Sequence, residues 1–224
     1  MKRILIKSTI STNDEARRYL SEGEDVVVCS EEQTGGRGTK GRSFLSQKGG
    51  VYLTKLTFHD HLPASMAYRV MMHAAVAVCK TVASFGVPAE IKWPNDVYVR
   101  GKKISGTLIE NVLAENAVKA SIVGIGLNVS NDVSSLMGIA TNLHAETNLR
   151  PTVDEVRERL IFQLSQPFSE GEYRKFASFL GREISVVEGQ EQYRAIAKDV
   201  LPDGRLVVEK NGEERALSSA EITV

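Results

Sequence analysis

The sequence carries no excess of charge: 28 Lys and Arg residues balance 28 Asp and Glu in 224 residues, and the isoelectric point lies near 6.9. A protein whose main partner is nucleic acid needs a basic surplus to neutralise phosphates. That class is disfavoured, although a local basic loop still suits a small anion. Cysteine is scarce, and Cys29 and Cys79 lack the paired spacing of a zinc or redox motif. Two isolated thiols fit buried small hydrophobes in a reducing cytoplasm. No apolar run reaches the length of a membrane span, and Lys7 ends the short start Ile4-Leu5-Ile6 before it can serve as a secretory signal. Repeats and low-complexity tracts are also lacking. What remains is an ordinary globular composition, 42% hydrophobic and 25% charged, long enough for one large domain and a small one.

One stretch stands out against that background, Glu32-Gln33-Thr34-Gly35-Gly36-Arg37-Gly38-Thr39-Lys40-Gly41-Arg42. It lies between two apolar runs that read as strands, Val26 to Cys29 and Val51 to Phe58. Glycine lets backbone approach a ligand closely, and Arg and Lys supply charge for an anion, but a solvated connection explains the same composition. The formal Gly-x-Gly-x-x-Gly at Gly36 to Gly41 is not a dinucleotide fingerprint. That motif needs a strand running directly into a helix, and here the next element is another strand. A Walker A loop fails because Thr39, not glycine, precedes Lys40.

Along the rest of the chain, Ile4 to Ile6 reads as a first strand. Ser11-Thr12-Asn13-Asp14-Glu15 offers two overlapping capping boxes for a helix over roughly 13–21. Ser and Thr there either satisfy orphan amides or face the polar head of a ligand at the helix start. His59-Asp60-His61, in an expected strand-to-helix turn, is too sparse for a metal site. Pro63 to Phe85 forms a broadly apolar core helix stopped by Gly86. Then come strands at Ala89 to Lys92 and Val97 to Val99, joined by the turn Trp93-Pro94-Asn95-Asp96, and a strand from Lys102 to Glu110. The strand Val118 to Leu127 carries Gly124 and Gly126, which signal close approach of another backbone or a ligand. Thr152-Val153-Asp154-Glu155 opens a helix to about Leu164, and a second helix covers Phe168 to Phe179. Beyond a boundary near Leu180, short strands separated by Pro202-Asp203-Gly204 and Asn211-Gly212 predict a small β-barrel or sandwich.

The ordered set Ser11-Thr12-Asn13, Gln33 to Arg42, Lys92-Trp93-Pro94-Asn95-Asp96, Lys103-Ile104-Ser105-Gly106 and Gly124 to Asn128 resembles the biotin protein ligases over almost the whole chain. The resemblance implies an α+β fold. A mixed β-sheet catalytic domain packed with helices (1–179) precedes a small SH3-like β-barrel domain (180–224). It also implies that the chain starts directly at the catalytic domain, without the winged helix that binds operator DNA in some members. The implied activity is ligation of biotin, through biotinyl-5′-AMP, to a lysine of a biotin carboxyl carrier domain. ATP and Mg²⁺ would serve as cofactors, in the cytoplasm, with no DNA or membrane partner and with a homodimer possible through a sheet edge, for which the strand 118–127 is a candidate.

By the same resemblance Lys103 stands between the biotin carboxylate and the α-phosphate, and Arg37 and Arg42 hold anionic groups beside it. Ser11, Thr12, Asn13, Gln33, Gly36, Gly38, Thr39, Arg37 and Lys103 would contact biotin. Lys40, Arg42, Trp93, Asn95, Asn128, Arg37 and Lys103 would contact the nucleotide, with Lys92 nearby. Asp96 either holds the metal or fixes its turn. The family often has arginine where Thr39 stands, a residue linked to retention of the adenylate, so retention is expected to rest on Arg37, Lys40 and loop closure. The glycine-rich loop is expected to lie open until ligand arrives. The rival activities are a lipoate ligase or octanoyl transferase, and a biotin or nucleotide sensor without catalysis.

Overall fold

The computed structural model describes residues 1–223, the side chain of Lys40 excepted. Among the described residues the chain forms two sheets. The larger contains β1 (Lys2–Thr9), β2 (Val26–Gln33), β3 (Gly50–Pro63), β4 (Glu90–Lys92), β5 (Asp96–Val99), β6 (Lys102–Ala114) and β7 (Ala117–Asn128). Their order is β1-β2-β3-β7-β6-β5-β4, with β1 and β2 parallel and the other pairs antiparallel. The mixed sheet expected from the sequence is therefore present. β7, expected as a candidate edge, instead lies between β3 and β6, and the edges are β1 and β4. Its long apolar run reflects burial on both faces, with Val123, Ile125 and Leu127 on one and Ala120 and Ile122 on the other.

Alternation along the central strands gives the sheet two different faces. Val27, Cys29, Val51, Leu53, Val123, Ile125 and Leu127 enter the main core. Against it pack α2 (Tyr68–Ala83), α4 (Val153–Leu164) and α5 (Glu170–Phe176), while the short α3 (Leu143–Glu146) adds Leu143 to the core and donates from the His144 amide to Val129 O just after β7. On the other face Val26, Val28, Leu56, Ala120 and Ile122 form a smaller cluster around Ala16 of α1 (Thr12–Arg17). Continuing along that second face of β7, apolar residues give way to Gly124 and Gly126, and there the sheet becomes a floor. Cys29 and Cys79 are both buried, and burial pushes the Cys29 thiol up to about 11.

Helix boundaries differ from those read in the sequence. The 63–85 helix begins only at Tyr68, because β3 runs on through His59, Asp60 and His61 to Pro63 and a 3₁₀ turn, Ala64–Met66, intervenes. His59 is thus a strand residue, with a ring nitrogen 2.9 Å from the Ser121 hydroxyl. Thr152 and Glu155 make both bonds of the capping box that opens α4.

The C-terminal expectation of a barrel is overturned. β8 (Glu183–Glu188), β9 (Glu191–Val200), β10 (Leu206–Lys210), β11 (Glu213–Leu217) and β12 (Glu221–Thr223) form an open antiparallel sheet in the order β11-β10-β9-β8-β12. β11 and β12 are its two ends and do not pair with each other, so the sheet does not close. Strand spacing and Asp-Gly or Asn-Gly turns specify hairpins, but closure depends on pairing between distant strands, which that pattern does not encode. Ile184, Val186, Ala197, Leu206 and Val208 of this sheet join the same core that lies beneath α2. Among the described residues no helix is long and apolar enough to cross a membrane.

Candidate active site

The glycine floor is built from Gly106 of β6 and Gly126 of β7, paired with one another, and from Gly124 opposite Leu108. A methyl on Gly124 would lie 2.2 Å from Asn13 Oδ1, and one on Gly126 would lie 2.3 Å from the Phe44 ring. The sequence signal of glycine within a strand therefore reports close approach by two side chains. Asn13 descends from α1 and Phe44 from the glycine-rich loop.

Above one end of this floor sits a buried polar network. Ser11 stands at the N-cap of α1 yet makes no side-chain capping bond. Thr12 instead contacts Gln33, whose Oε1 accepts from the Thr12 amide at 2.8 Å and from its hydroxyl at 3.0 Å. Glu15 accepts from the Thr9 hydroxyl rather than closing a capping box. Thr54 of β3 contacts the Thr12 hydroxyl at 2.8 Å and Asn13 Oδ1 at 2.7 Å, and Gln33 Nε2 donates to Ser46. Ser11, Thr12 and Asn13 are each 3–4% exposed. Of the two explanations for this cluster, helix capping is thus the one the geometry does not use.

At the other end of the floor lies Lys103. Its backbone bridges to the segment after β7, with its amide on Ile139 O and its carbonyl accepting from Thr141. Its ammonium group pairs with Asp96 at 2.7 Å and lies 3.2 Å from a methyl built on Gly106. The inner cavity between Asn13 and Lys103 is small, about 40 Å³, and is lined also by Arg37, Gly38 and Thr39. That is room for a few waters, because the Phe44 ring occupies the floor. Beyond Asp96 and Thr39 opens an outer cleft of about 420 Å³ between the two sheets, lined by Arg42, Lys92, Trp93 and Asn95.

The loop expected to lie open is instead tied down over the inner cavity. Arg37 forms a two-pronged pair with Asp14 at 2.6 and 2.9 Å, and that hydrogen bond, against some desolvation, holds the Asp14 carboxyl below its ordinary range. Arg42 pairs with Glu221 of β12 at 2.8 Å. Gly36 accepts from the Phe44 amide, and a methyl on Gly36 would lie 2.5 Å from Phe44 O and Ser46 Oγ, so only glycine fits this crossing.

Most residues singled out in the sequence meet at these two cavities. Gly36 lines neither and is instead packed against Phe44 and Ser46 within its own loop. Asn128 also lines neither. Its amide donates to Thr141 O and accepts from Asn131, which leaves it knotted into the loop after β7. Trp93 borders the outer cleft but is 3% exposed, and its indole donates to Gly204 O in the turn between β9 and β10. The side chain of Lys40 lies outside the described residues. Asp96 is engaged by Lys103, and among the described residues no group of three or more His, Cys, Asp or Glu could hold a metal ion. Glu110, read in the sequence only as the end of a strand, accepts from Asn13 Nδ2 at 2.9 Å. Only the alternation of Gly106, Leu108 and Glu110 on one face of β6 pointed to it.

An inner cavity lined at one end by hydroxyl and amide side chains and at the other by Lys103 meets an open, partly cationic cleft at Asp96, an arrangement suited to holding an uncharged head group while its far end faces an anion. Residues 3–128 match the biotin/lipoate A/B protein ligase family, and residues 179–224 match the biotin protein ligase C terminal domain. The chain belongs to the biotin protein ligases of that family. It is 28% identical over 236 residues to the biotin–[acetyl-CoA-carboxylase] ligase of Mycobacterium tuberculosis, covering 97% of this chain and 87% of that one. To the bifunctional ligase/repressor BirA of Bacillus spizizenii it is 32% identical over 148 residues, and the alignment spans 46% of that relative's length and 62% of this chain. Its fold is similar to that of the biotin protein ligase from Aquifex aeolicus in complex with biotin and ATP, with a TM-score of 0.77 at 24% identity over 99% of this chain and 97% of that one.

Proposed function

We propose that this chain activates biotin with ATP and transfers it to a lysine of a biotin carboxyl carrier domain. The carrying observation is that Lys103 lines the inner cavity with its ammonium group paired to Asp96, a residue that lines both the inner cavity and the outer cleft. A cyclic urea on Thr12, Asn13 and Gln33 sends its carboxylate tail along the glycine floor towards Lys103, and ATP enters from the outer cleft beside Arg42, Trp93 and Asn95. A carboxylate oxygen attacks the α-phosphorus and pyrophosphate leaves, giving biotinyl-5′-AMP. The carrier lysine, as free amine, then attacks the acyl carbon, loses a proton and expels AMP.

The first step brings two anions together. At about 4 Å and an effective dielectric of about 20, that repulsion is worth about 4 kcal/mol. An ammonium group has three donors. With one on Asp96, Lys103 keeps two for the carboxylate and the phosphate. Arg37 and Arg42 exchange their present carboxylate partners for ligand anions, so the loop doubles as a lid that keeps water from the reactive anhydride. Thr39 contributes a hydroxyl but no charge. Among the described residues the carboxylates lining the outer cleft are Asp96 and Glu221, each paired with a cation, so a Mg²⁺ ion would be held chiefly by the triphosphate and would supply shielding of its negative charge. Asn128 reaches adenine only if the knot with Thr141 and Asn131 opens. We assign catalysis to 1–179, and to 180–224 the far wall of the nucleotide cleft. Cytoplasmic carriers are the substrate class that fits this assignment.

Pyrophosphate exchange tests the reading. Label should pass between pyrophosphate and ATP when biotin is present and not with lipoate, and Lys103→Ala should abolish it. Exchange with lipoate alone would replace biotin as the substrate, and exchange with neither acid would make the chain a sensor.

A further inference from the structure

Glu110 lies outside the lining of the inner cavity, yet it fixes the side chain on which the cavity's hydrogen-bonding character depends. One carboxylate oxygen accepts from Asn13 Nδ2 at 2.9 Å, and the other pairs with Arg17 at 3.1 Å. Asn13 and Arg17 are one turn apart on α1, so Glu110 reaches from β6 and clasps that helix. An ionised carboxylate can only accept. The Asn13 amide therefore has one allowed orientation, with its nitrogen towards Glu110 and its oxygen towards Thr54.

That orientation has a consequence that follows from counting protons. Three oxygen–oxygen contacts run in series: Asn13 Oδ1 to Thr54 Oγ1 at 2.7 Å, Thr54 Oγ1 to Thr12 Oγ1 at 2.8 Å, and Thr12 Oγ1 to Gln33 Oε1 at 3.0 Å. Both ends are amide carbonyl oxygens. The Gln33 end is fixed in that sense because its Oε1 also accepts from the Thr12 amide and its Nε2 donates to Ser46, whose own proton goes to Phe44 O. Two hydroxyl protons must serve three contacts. The chain is one proton short, and Thr54 is fully buried, so water does not reach it. Thr12 and Asn13 border the inner cavity, where a ligand N–H can supply what is missing.

We propose that Glu110 is a positioning residue that makes the inner cavity a net hydrogen-bond acceptor and so selects a head group carrying N–H donors, as a cyclic urea does. The proposal rests on the ligase reading above and names the residue behind its choice of substrate. Glu110→Gln nearly preserves shape but can donate. The Asn13 amide is then free to turn, its nitrogen donates to Thr54, and the deficit closes without ligand.

The test compares biotin with an analogue whose two ureido N–H groups are replaced by oxygen. Wild-type protein should bind the analogue at least about ten-fold more weakly than biotin, the worth of one buried hydrogen bond. In Glu110→Gln that ratio should fall towards one through loss of biotin affinity, with kcat at saturating biotin, the KM for ATP and the melting temperature unchanged. Arg17→Met loosens Glu110 from outside the network and should lower the ratio in the same direction, which decides the matter if Glu110→Gln does not fold. An unchanged ratio in the folded variants overturns the proposal while leaving the ligase reading intact. Wild-type protein that binds neither compound overturns both.

Discussion

Two residues show how local chemistry sets the site. Among the described residues Lys103 is the one lysine lining the inner cavity, and its partner Asp96 leaves donors free for two further anions. Lys103→Ala should lower the rate of adenylate formation about 10²–10³-fold, the usual consequence of removing one preorganised donor at a transition state. Single-turnover formation of biotinyl-AMP measures it. Gly124 is the second case. A methyl there meets Asn13 Oδ1 at 2.2 Å, so Gly124→Ala must displace the amide that the polar network depends on. Overpacking of this kind costs roughly 1–3 kcal/mol, and we expect the KM for biotin to rise with little change in the KM for ATP. Gly124 was legible in the sequence as a close approach, but its partner Asn13 was not. Nothing in Ser11-Thr12-Asn13 distinguishes a cap from a ligand contact until Gln33 and Thr54 are seen beside it.

Helices α1 and α4 carry the same kind of N-terminal sequence and use it differently. Thr152 and Glu155 cap α4 reciprocally, so Thr152→Ala should cost about 1 kcal/mol in urea unfolding. Ser11 makes no capping bond, and Ser11→Ala should leave stability nearly unchanged while weakening biotin binding. The C-terminal end of α4 is met by a cation from elsewhere, Lys55, which donates to Leu164 O at 3.1 Å, and by the His73 ring, which faces the Gln163 and Gln166 carbonyls. Burial, the larger influence, holds His73 and His59 below the ordinary histidine value of 6.5. Below about pH 6.5 the unfolded chain takes up protons that these folded imidazoles resist, so stability should fall as pH falls through that value. Denaturation midpoints at about pH 7.5 and 5.5 test the sign, and His73→Gln should flatten part of the slope. Periodicity made α2 and α4 readable as elements. It did not reveal the extension of β3 through His59, since alternation there fades into polar residues.

The molecule as a whole is joined across its two sheets by the shared core and by side chains that reach turns of the smaller sheet. Trp93 donates to Gly204 O at 2.9 Å, Tyr68 donates to Ser218 O at 2.7 Å, and Tyr68 Cβ sits 2.4 Å from a methyl built on Gly204, whose φ is +83°. With the core continuous beneath both sheets, the chain should unfold in one transition. Fluorescence of Trp93 and far-ultraviolet circular dichroism should then give coincident curves. The lone tryptophan was visible in the sequence beside Lys92 and Asp96, and its use as a joint was not. The turn Pro202-Asp203-Gly204 that receives it lies more than a hundred residues away, and no local pattern links the two. The open C-terminal sheet was hidden for the same reason, because hairpins are local and closure is not.

The glycine floor also limits how the substrate range can be changed. Gly106, Gly124 and Gly126 have already given up every side-chain atom, so substitution there can make the cavity shallower and never deeper. Space for a bulkier head group can come only from the walls and the roof, at Leu108 or Phe44, and Phe44 sits beside the loop proposed above as the lid. In this protein a wider choice of acid is bound to a poorer seal.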